Sequence, residues 1–326
     1  MDSSAADGYP RLTWPGRDAA AAAAIRLLAD PPRLVPIAAN APAPPAVPDP
    51  ATADGLLVHA DNLPALASLH RDLAGHVDLV VTDPPFGTGA VHGSRPRDGR
   101  PAAGEGFTDR WPDGLAGYLS MMLPRLLLIR ELLAPSGSLV LHCDWRAAPA
   151  LSLLCDELFG PGDRGPRRHA PGFRGEIVWT YGLGGSGRHT YPRKHDLLLW
   201  YSRGRTWCFD PPLAPATSQR LRGRLKKRPD VWTDIPSLNN MARERTGYPT
   251  QKPLALLERI VTAHSRPGDL VLDPFCGSGT TLVAARRLER RWIGIDAGEA
   301  AVAVTRERLA RLDPPPPVQL LTVAGA

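Results

Sequence analysis

Leu270-Val271-Leu272-Asp273-Pro274-Phe275-Cys276-Gly277-Ser278-Gly279-Thr280-Thr281 reads as a short aliphatic strand, an acidic residue at its end and a glycine-rich loop opening a helix. That order places a ligand at the carboxyl end of a strand, a nucleotide-binding arrangement of α/β sheets. The loop lacks the lysine of a phosphate-cradling loop and the third glycine of the dinucleotide fingerprint, so neither ATP nor NAD is its natural ligand. An adenosine carrying a cationic sulfonium fits better. About twenty residues on, the interval at which such folds place a ribose-binding acid, Arg291-Trp292-Ile293-Gly294-Ile295-Asp296 is a second strand ending in a carboxylate. The plainer reading is a packing turn with Asp296 as a helix N-cap.

A matching turn lies upstream, at Val80-Val81-Thr82-Asp83-Pro84-Pro85-Phe86. Two prolines cannot donate to a ladder, so the strand stops there. Its end carries an acceptor-only cluster, the Asp83 carboxylate beside the Pro84 carbonyl, with an aromatic ring two residues on and Gly87 and Gly89 keeping the loop thin. Such a cluster suits an amino group on a flat ring. An exocyclic amine is a poor nucleophile because its lone pair is delocalised; two acceptors holding its hydrogens localise that pair while a stacked aromatic fixes the ring. The competing reading is a strand-ending turn and nothing more.

Around these turns, from Gly55 onward, aliphatic runs alternate with amphipathic stretches, the pattern of an α/β sheet. Strands are expected at 56–58, 77–82, 138–142, 197–201, 270–272 and 292–295, and helices at 63–73, 115–133, 146–158, 254–264, 280–288 and 299–309. Pro31 to Pro50 holds eight prolines and Asp313 to Pro317 reads D-P-P-P-P, so 1–53 is expected as an arm and linker with one short helix from Asp18 to Ala29, and 313–326 as a proline-rich tail.

The 326 residues carry 43% hydrophobic and 22% charged side chains, which fits a globular chain and neither a disordered nor a membrane one. No apolar run spans a bilayer, and the N-terminus, opening on Asp2 and Asp7, has no basic leader region. Cys143, Cys155, Cys208 and Cys276 show no metal or disulfide spacing, so no metal is expected and a reducing compartment suits them. Charge is uneven: Gly160 to Thr250 holds 17 Lys or Arg against 7 Asp or Glu, while the rest holds 22 against 26. A basic middle between near-neutral flanks is the footprint of a polyanion-binding surface, although solvated basic loops give the same count.

These residues resemble the amino-methylating DNA methyltransferases, which methylate N6 of adenine or N4 of cytosine from S-adenosylmethionine. Besides T-D-P-P-F and D-P-F-C-G-S-G-T-T, the resemblance rests on H-A-D-N at 59–62, Y-L-S-M-M-L-P-R-L at 118–126 and G-Y-P-T-Q-K-P at 247–253. With the D-P-P-F turn before the cofactor loop and the basic region between, it resembles the β class. The implied fold is a Rossmann-like, circularly permuted methyltransferase sheet of about seven strands. It would have a catalytic half at 54–172, an inserted basic target-recognition region at 173–246 and a cofactor-binding half at 247–312.

The resemblance implies that Asp83, Pro84, Pro85 and Phe86 hold the target base. It implies a cofactor site of Asp61 near the adenine, Asp296 on the ribose, Asp273, Pro274, Phe275, Gly277, Gly279 and Thr280 in the loop, and Gln251, Lys252 and Pro253 beside the methionine part. Double-stranded DNA is the implied partner, gripped by Arg188, Arg193, Lys194, Arg222, Arg224, Lys226, Lys227 and Arg228. A cytoplasmic, nucleoid-associated setting is implied as well, and the family admits a homodimer and a cognate restriction endonuclease. Phe86 stands where many members have Tyr, which preserves stacking, and Gly87 where related sequences often carry Asn. D-P-P favours adenine; N4-cytosine methylation, RNA or protein methylation, and a DNA-binding protein without turnover are the competing readings. Protein-glutamine and RNA enzymes begin the similar turn with Asn, absent at position 83.

Overall fold

The computed structural model describes residues 9–37, 49, 53–86, 91–92, 107–165, 170–182, 188–216, 220, 222–239 and 242–325. In chain order the helices are α1 Arg17–Ala29, α2 Asn62–Leu73, α3 Gly114–Leu132, α4 Ala148–Phe159, α5 Leu254–His264, α6 Thr280–Arg287 and α7 Glu299–Ala310. The strands are β1 Leu34–Pro36, β2 Gly55–His59, β3 Val77–Thr82, β4 Val91–His92, β5 Phe107–Thr108, β6 Leu133–Cys143, β7 Gly172–Thr180, β8 His195–Ser202, β9 Leu213–Pro215, β10 Leu225–Lys227, β11 Val231–Trp232, β12 Leu270–Asp273, β13 Arg291–Asp296 and β14 Gln319–Val323. Every strand and helix expected from the apolar pattern is present. Gly87 and Gly89 lie outside the described residues.

Among the described residues one sheet holds ten strands in the order β1-β14-β2-β13-β12-β3-β6-β8-β7-β11. This corrects the expectation of seven. The centre, from β14 through β6, is parallel, and its strands are continuous apolar runs because helices cover both faces. Alternate side chains divide between the two faces. Leu56, Val58, Val80, Leu272 and Ile293 join α1 to α4 in one buried cluster; Leu57, Leu79, Val81, Val271 and Trp292 meet α5, α6 and α7 in the other. Three layers result, with β12 and β3 side by side in the middle.

The proline-rich ends are more than an arm and a tail. β1 pairs antiparallel with β14, and β14 pairs parallel with β2, while Trp14 Nε1 donates to Ser120 of α3 at 2.8 Å and Arg17 pairs with Glu157 of α4. Prolines disfavour interior strands but are tolerated at a sheet edge, where an N–H is dispensable. Pro36 closes the outermost strand on those terms.

Strand order reverses between β12 and β3. From β12 the chain passes through α6 to β13 on one side; from β3 it passes to β6 on the other. Helices leaving in opposite directions open a crevice at the carboxyl ends of these two strands. Leu272 lies opposite Val80, so the two acidic turns, distant in sequence, face one crevice.

Candidate active site

β3 ends as its prolines demand, and Asp83 emerges with each carboxylate oxygen facing a base. Oδ1 lies 3.0 Å from His142 Nδ1, and Oδ2 accepts from the Lys252 ammonium. His142 reaches Asp83 because β6 runs parallel beside β3, with Thr82 opposite Leu141. The Phe86 ring meets the His142 ring edge-on at 5.3 Å, and Lys252 Nζ sits 5.3 Å from the Phe86 centroid. Burial alone would oppose charge on Asp83, but Lys252 and His142 outweigh it and hold the carboxyl well below the usual carboxylate range. Asp83 is therefore an acceptor at any physiological pH.

The glycine-rich loop is held by its neighbours' side chains. Asp296 accepts from the Gly277 and Gly298 amides at 2.8 Å each, the Thr305 hydroxyl donates to Gly277 O at 2.9 Å, and Arg308 donates to Ser278 O at 2.7 Å. Asn62 Nδ2 donates to Pro274 O at 2.6 Å while its Oδ1 accepts from Arg125. Arg125 also pairs with Asp61 at 3.0 Å, and Asp61 caps α2 through the Leu63 amide at 2.7 Å. The α2 start is thus tied to the loop. Burial pushes the Asp273 carboxyl up to about 7, the Thr281 hydroxyl and Phe275 amide offsetting part of the rise. Burial likewise raises Asp296 against the two amides that favour its charge.

Both turns open into a single cleft of about 460 Å³, within the size range of small-molecule sites. Asp61, Asp83, Pro84, Pro85, Phe86, Lys252, Asp273, Pro274, Phe275, Gly277, Thr280 and Asp296 all line it. Five acidic residues, Asp61, Asp83, Asp109, Asp273 and Asp296, line this one cavity and suit a ligand with positive charge.

Three residues expected at the cofactor site do not line the cleft. Gln251 spends its amide on its own loop, accepting from the Thr246 amide and hydroxyl at 2.8 Å and donating to Glu244 O at 2.7 Å; it shapes the segment that presents Lys252. Pro253 serves as the α5 N-cap residue. Gly279 is the left-handed N-cap of α6, with φ of 72°. A Cβ there would stand 2.6 Å from Thr305 Oγ1. Gly279→Ala is expected to cost about 1–3 kcal/mol of stability, from the backbone conformation and the clash together, and to weaken cofactor binding by moving Thr305 off Gly277. Denaturant unfolding checks it; a change under about 0.5 kcal/mol, the range of neutral surface substitutions, would show that the loop tolerates a side chain.

Lys252, which the resemblance puts beside the methionine part, lines the cleft with its ammonium on Asp83. Sequence reading misses His142, Asn62, Arg125 and Tyr248, all of which line the cleft. Asn62, Arg125 and Tyr248 lie inside the motifs at 59–62, 118–126 and 247–253. His142 carries no signal, a lone histidine near a strand end.

The basic residues divide into two groups. Arg188, Arg193 and Lys194 lie between β7 and β8, and the pairing of Thr180 with His195 puts this connection at the same sheet edge as Asp83. The Arg193 guanidinium lies 3.8 Å over the ring of Trp145, just beyond β6. Arg222, Arg224, Lys226 and Lys227 are exposed on or beside the β9–β10 ribbon. The chain reaches that ribbon from the opposite sheet edge, where Asp210 N donates to Ala263 O near the end of α5. Arg228 is paired with Asp234 at 3.0 Å. No helix among the described residues is long and apolar enough to cross a membrane.

A family model described as DNA methylase matches residues 77–307, most of the chain and both turns of the cleft. The chain belongs to the DNA methylase family. This methylase is 28% identical over 270 residues to the DNA adenine methyltransferase YhdJ of Escherichia coli K12, covering 78% of this chain and 82% of that protein. It is also 28% identical over 274 residues to the type II methyltransferase M.ScaI of Streptomyces caespitosus, covering 79% and 82%. Among solved structures, the M1.HpyAVI–SAM complex shares the fold with a TM-score of 0.54 at 24% identity, covering 79% of the methylase and all of that chain. The family's methyl donor is S-adenosylmethionine.

Proposed function

We propose that this methylase modifies the exocyclic N6 amine of adenine within a specific DNA sequence, the base being turned out of the duplex into the cleft. The observation that carries this reading is that the Asp83–Phe86 turn and the glycine-rich loop, distant in sequence, line one cavity. The residues fit the donor: Asp296 would accept from its ribose hydroxyls, and Asp61, Asp83 and Asp273, which line the same cleft, would complement its cationic groups. When bound, S-adenosylmethionine supplies an electrophilic methyl. The chain's own work is alignment. Asp83 and the Pro84 carbonyl accept the amine hydrogens and localise the nitrogen lone pair, Phe86 stacks on the ring, and the low-dielectric cleft strengthens each contact.

The D-P-P turn supports adenine, as does the likeness to YhdJ, a DNA adenine methyltransferase. Purified protein incubated with unmethylated DNA and S-adenosylmethionine, then digested to nucleosides for mass spectrometry, should yield N6-methyladenine. N4-methylcytosine would correct the base; neither product from varied DNA, with cofactor binding intact, would sink the assignment.

DNA is gripped through phosphates, with Arg188 and Arg193 at the cleft edge and the β9–β10 ribbon as a second gripping point. Changing Arg222, Arg224, Lys226 and Lys227 to glutamine should lower the slope of log affinity against log salt, by up to about 0.9 for each phosphate no longer neutralised. An unaltered slope would remove the ribbon from the interface. The type II relative supports a cognate restriction endonuclease as partner.

A further inference from the structure

We propose that His142 is a positioning residue that, pinned between Asp83 and Asp196, fixes the Asp83 carboxylate and the Phe86 ring in the attitude that grips the target amine. The inference rests on the reading of Asp83 as the amine's acceptor. Four strands or their ends build the arrangement. His142 comes from β6, Asp83 from the end of β3, Asp196 from β8, and Tyr181 directly succeeds β7. His142 Nδ1 lies 3.0 Å from Asp83 Oδ1, its Nε2 lies 3.3 Å from Asp196 Oδ2, and the Tyr181 hydroxyl donates to the other Asp196 oxygen at 3.0 Å. The imidazole is also confined by rings, meeting Phe86 at 5.3 Å and Trp179 at 5.9 Å. It is buried, and it touches both groups that are to hold the base.

A carboxylate turns readily about its last torsion, which has broad, roughly two-fold preferences. The Lys252 ammonium donates to one Asp83 oxygen, and the His142 ring packs 3.0 Å from the other, which has no hydrogen-bond partner among the described residues, so the carboxylate is braced on both sides. Each oxygen keeps a lone pair for the amine. Lys252 sits on a flexible stem, whereas His142 is buried between aromatic rings with a carboxylate at each nitrogen, so the durable constraint is the histidine.

The charged and titratable groups facing His142 are Asp83, Lys252 and Asp196, with Tyr181 behind Asp196. Burial and Lys252 work against charge on the ring, but the two carboxylates prevail and raise its pKa above the ordinary 6.5. Below that raised value both ring nitrogens carry a proton and each faces a carboxylate. Above it one N–H is gone and one of the two pairings becomes acceptor against acceptor. The gripping geometry is therefore present on the acid side and lost as pH rises through the His142 pKa.

The experiment compares the parent with His142→Gln and Asp196→Asn for kcat, KM and S-adenosylmethionine affinity across pH. His142→Gln should lower kcat about 10- to 100-fold, the effect of misplacing a reacting group, with cofactor affinity within about twofold and the alkaline limb of the kcat profile gone. Asp196→Asn leaves the histidine in place, removes one supporting charge, and should move that limb to lower pH. An active parent whose variants keep kcat within twofold, or keep the limb where it was, overturns the role of His142. A parent that binds S-adenosylmethionine yet methylates no nucleic acid overturns the proposed function, and this inference with it. Should His142→Gln fail to bind cofactor and so prove misfolded, the limb of Asp196→Asn decides.

Discussion

Asp83→Asn should reduce methyl transfer by about 10²–10³-fold, the usual cost of removing one preorganised polar contact to a developing charge, while S-adenosylmethionine still binds. The substitution is nearly isosteric, so packing is kept. It replaces one acceptor oxygen by an NH₂ group, and that group must face the His142 ring, the Lys252 ammonium or the incoming amine, the last two of them donors. Asp83→Ala removes both acceptors and should abolish transfer. Single-turnover methylation with cofactor titration separates the chemical step from binding; transfer within tenfold of the parent would refute the role of Asp83. Because its pKa is depressed, Asp83 stays charged down to acid pH, so an activity loss near neutrality in the parent must come from another group.

Asp296→Ala should weaken S-adenosylmethionine binding about 100-fold. Two effects combine: removal of the acceptor proposed for the ribose hydroxyls, and removal of the partner of the Gly277 and Gly298 amides. Hydrogen bonds to a charged group are worth about 1.5–3 kcal/mol each, and about 2.7 kcal/mol corresponds to a factor of 100. Loop and ribose share one carboxylate, so the two costs do not add fully. Asp296→Asn keeps one acceptor oxygen and should fall between parent and alanine. Calorimetric titration measures the affinity; a change under threefold would make Asp296 a loop brace only.

Legibility tracks locality. β3 and β12 are readable because each is a short aliphatic run closed by an acid and proline, and a proline ends an interior strand. α6 is readable from the glycine pair before it. Gly279 is also legible as a loop glycine, but its close approach to Thr305 depends on a residue from α7. Gln251 shows the same limit. Its motif neighbours Thr250 and Lys252 line the cleft, while its own amide is consumed by Thr246 and Glu244.

The basic surface is legible as composition and not as geometry. Counting charges from 160 to 250 merges Arg188 and Arg193, at the sheet edge that carries Asp83, with a ribbon approached from the opposite edge, because β8 runs antiparallel to β6 and carries the chain across the sheet. The ends mislead in a similar way. Proline runs read as extended and unpaired, yet extended backbone is what an edge strand needs, and β14 with β1 finds partners at the border of the sheet.

From the sequence alone come the α/β class, the two acidic turns, the sulfonium-type cofactor and the acceptor cluster proposed to grip the base, since each is carried by local patterns of residue type along the chain. Tertiary structure alone decides that the turns share one cleft, that ten strands form the sheet, and that His142 and Lys252 converge on Asp83. Those outcomes depend on strand order and register, set by which apolar faces can be buried together, and no local pattern encodes which strand will lie beside which.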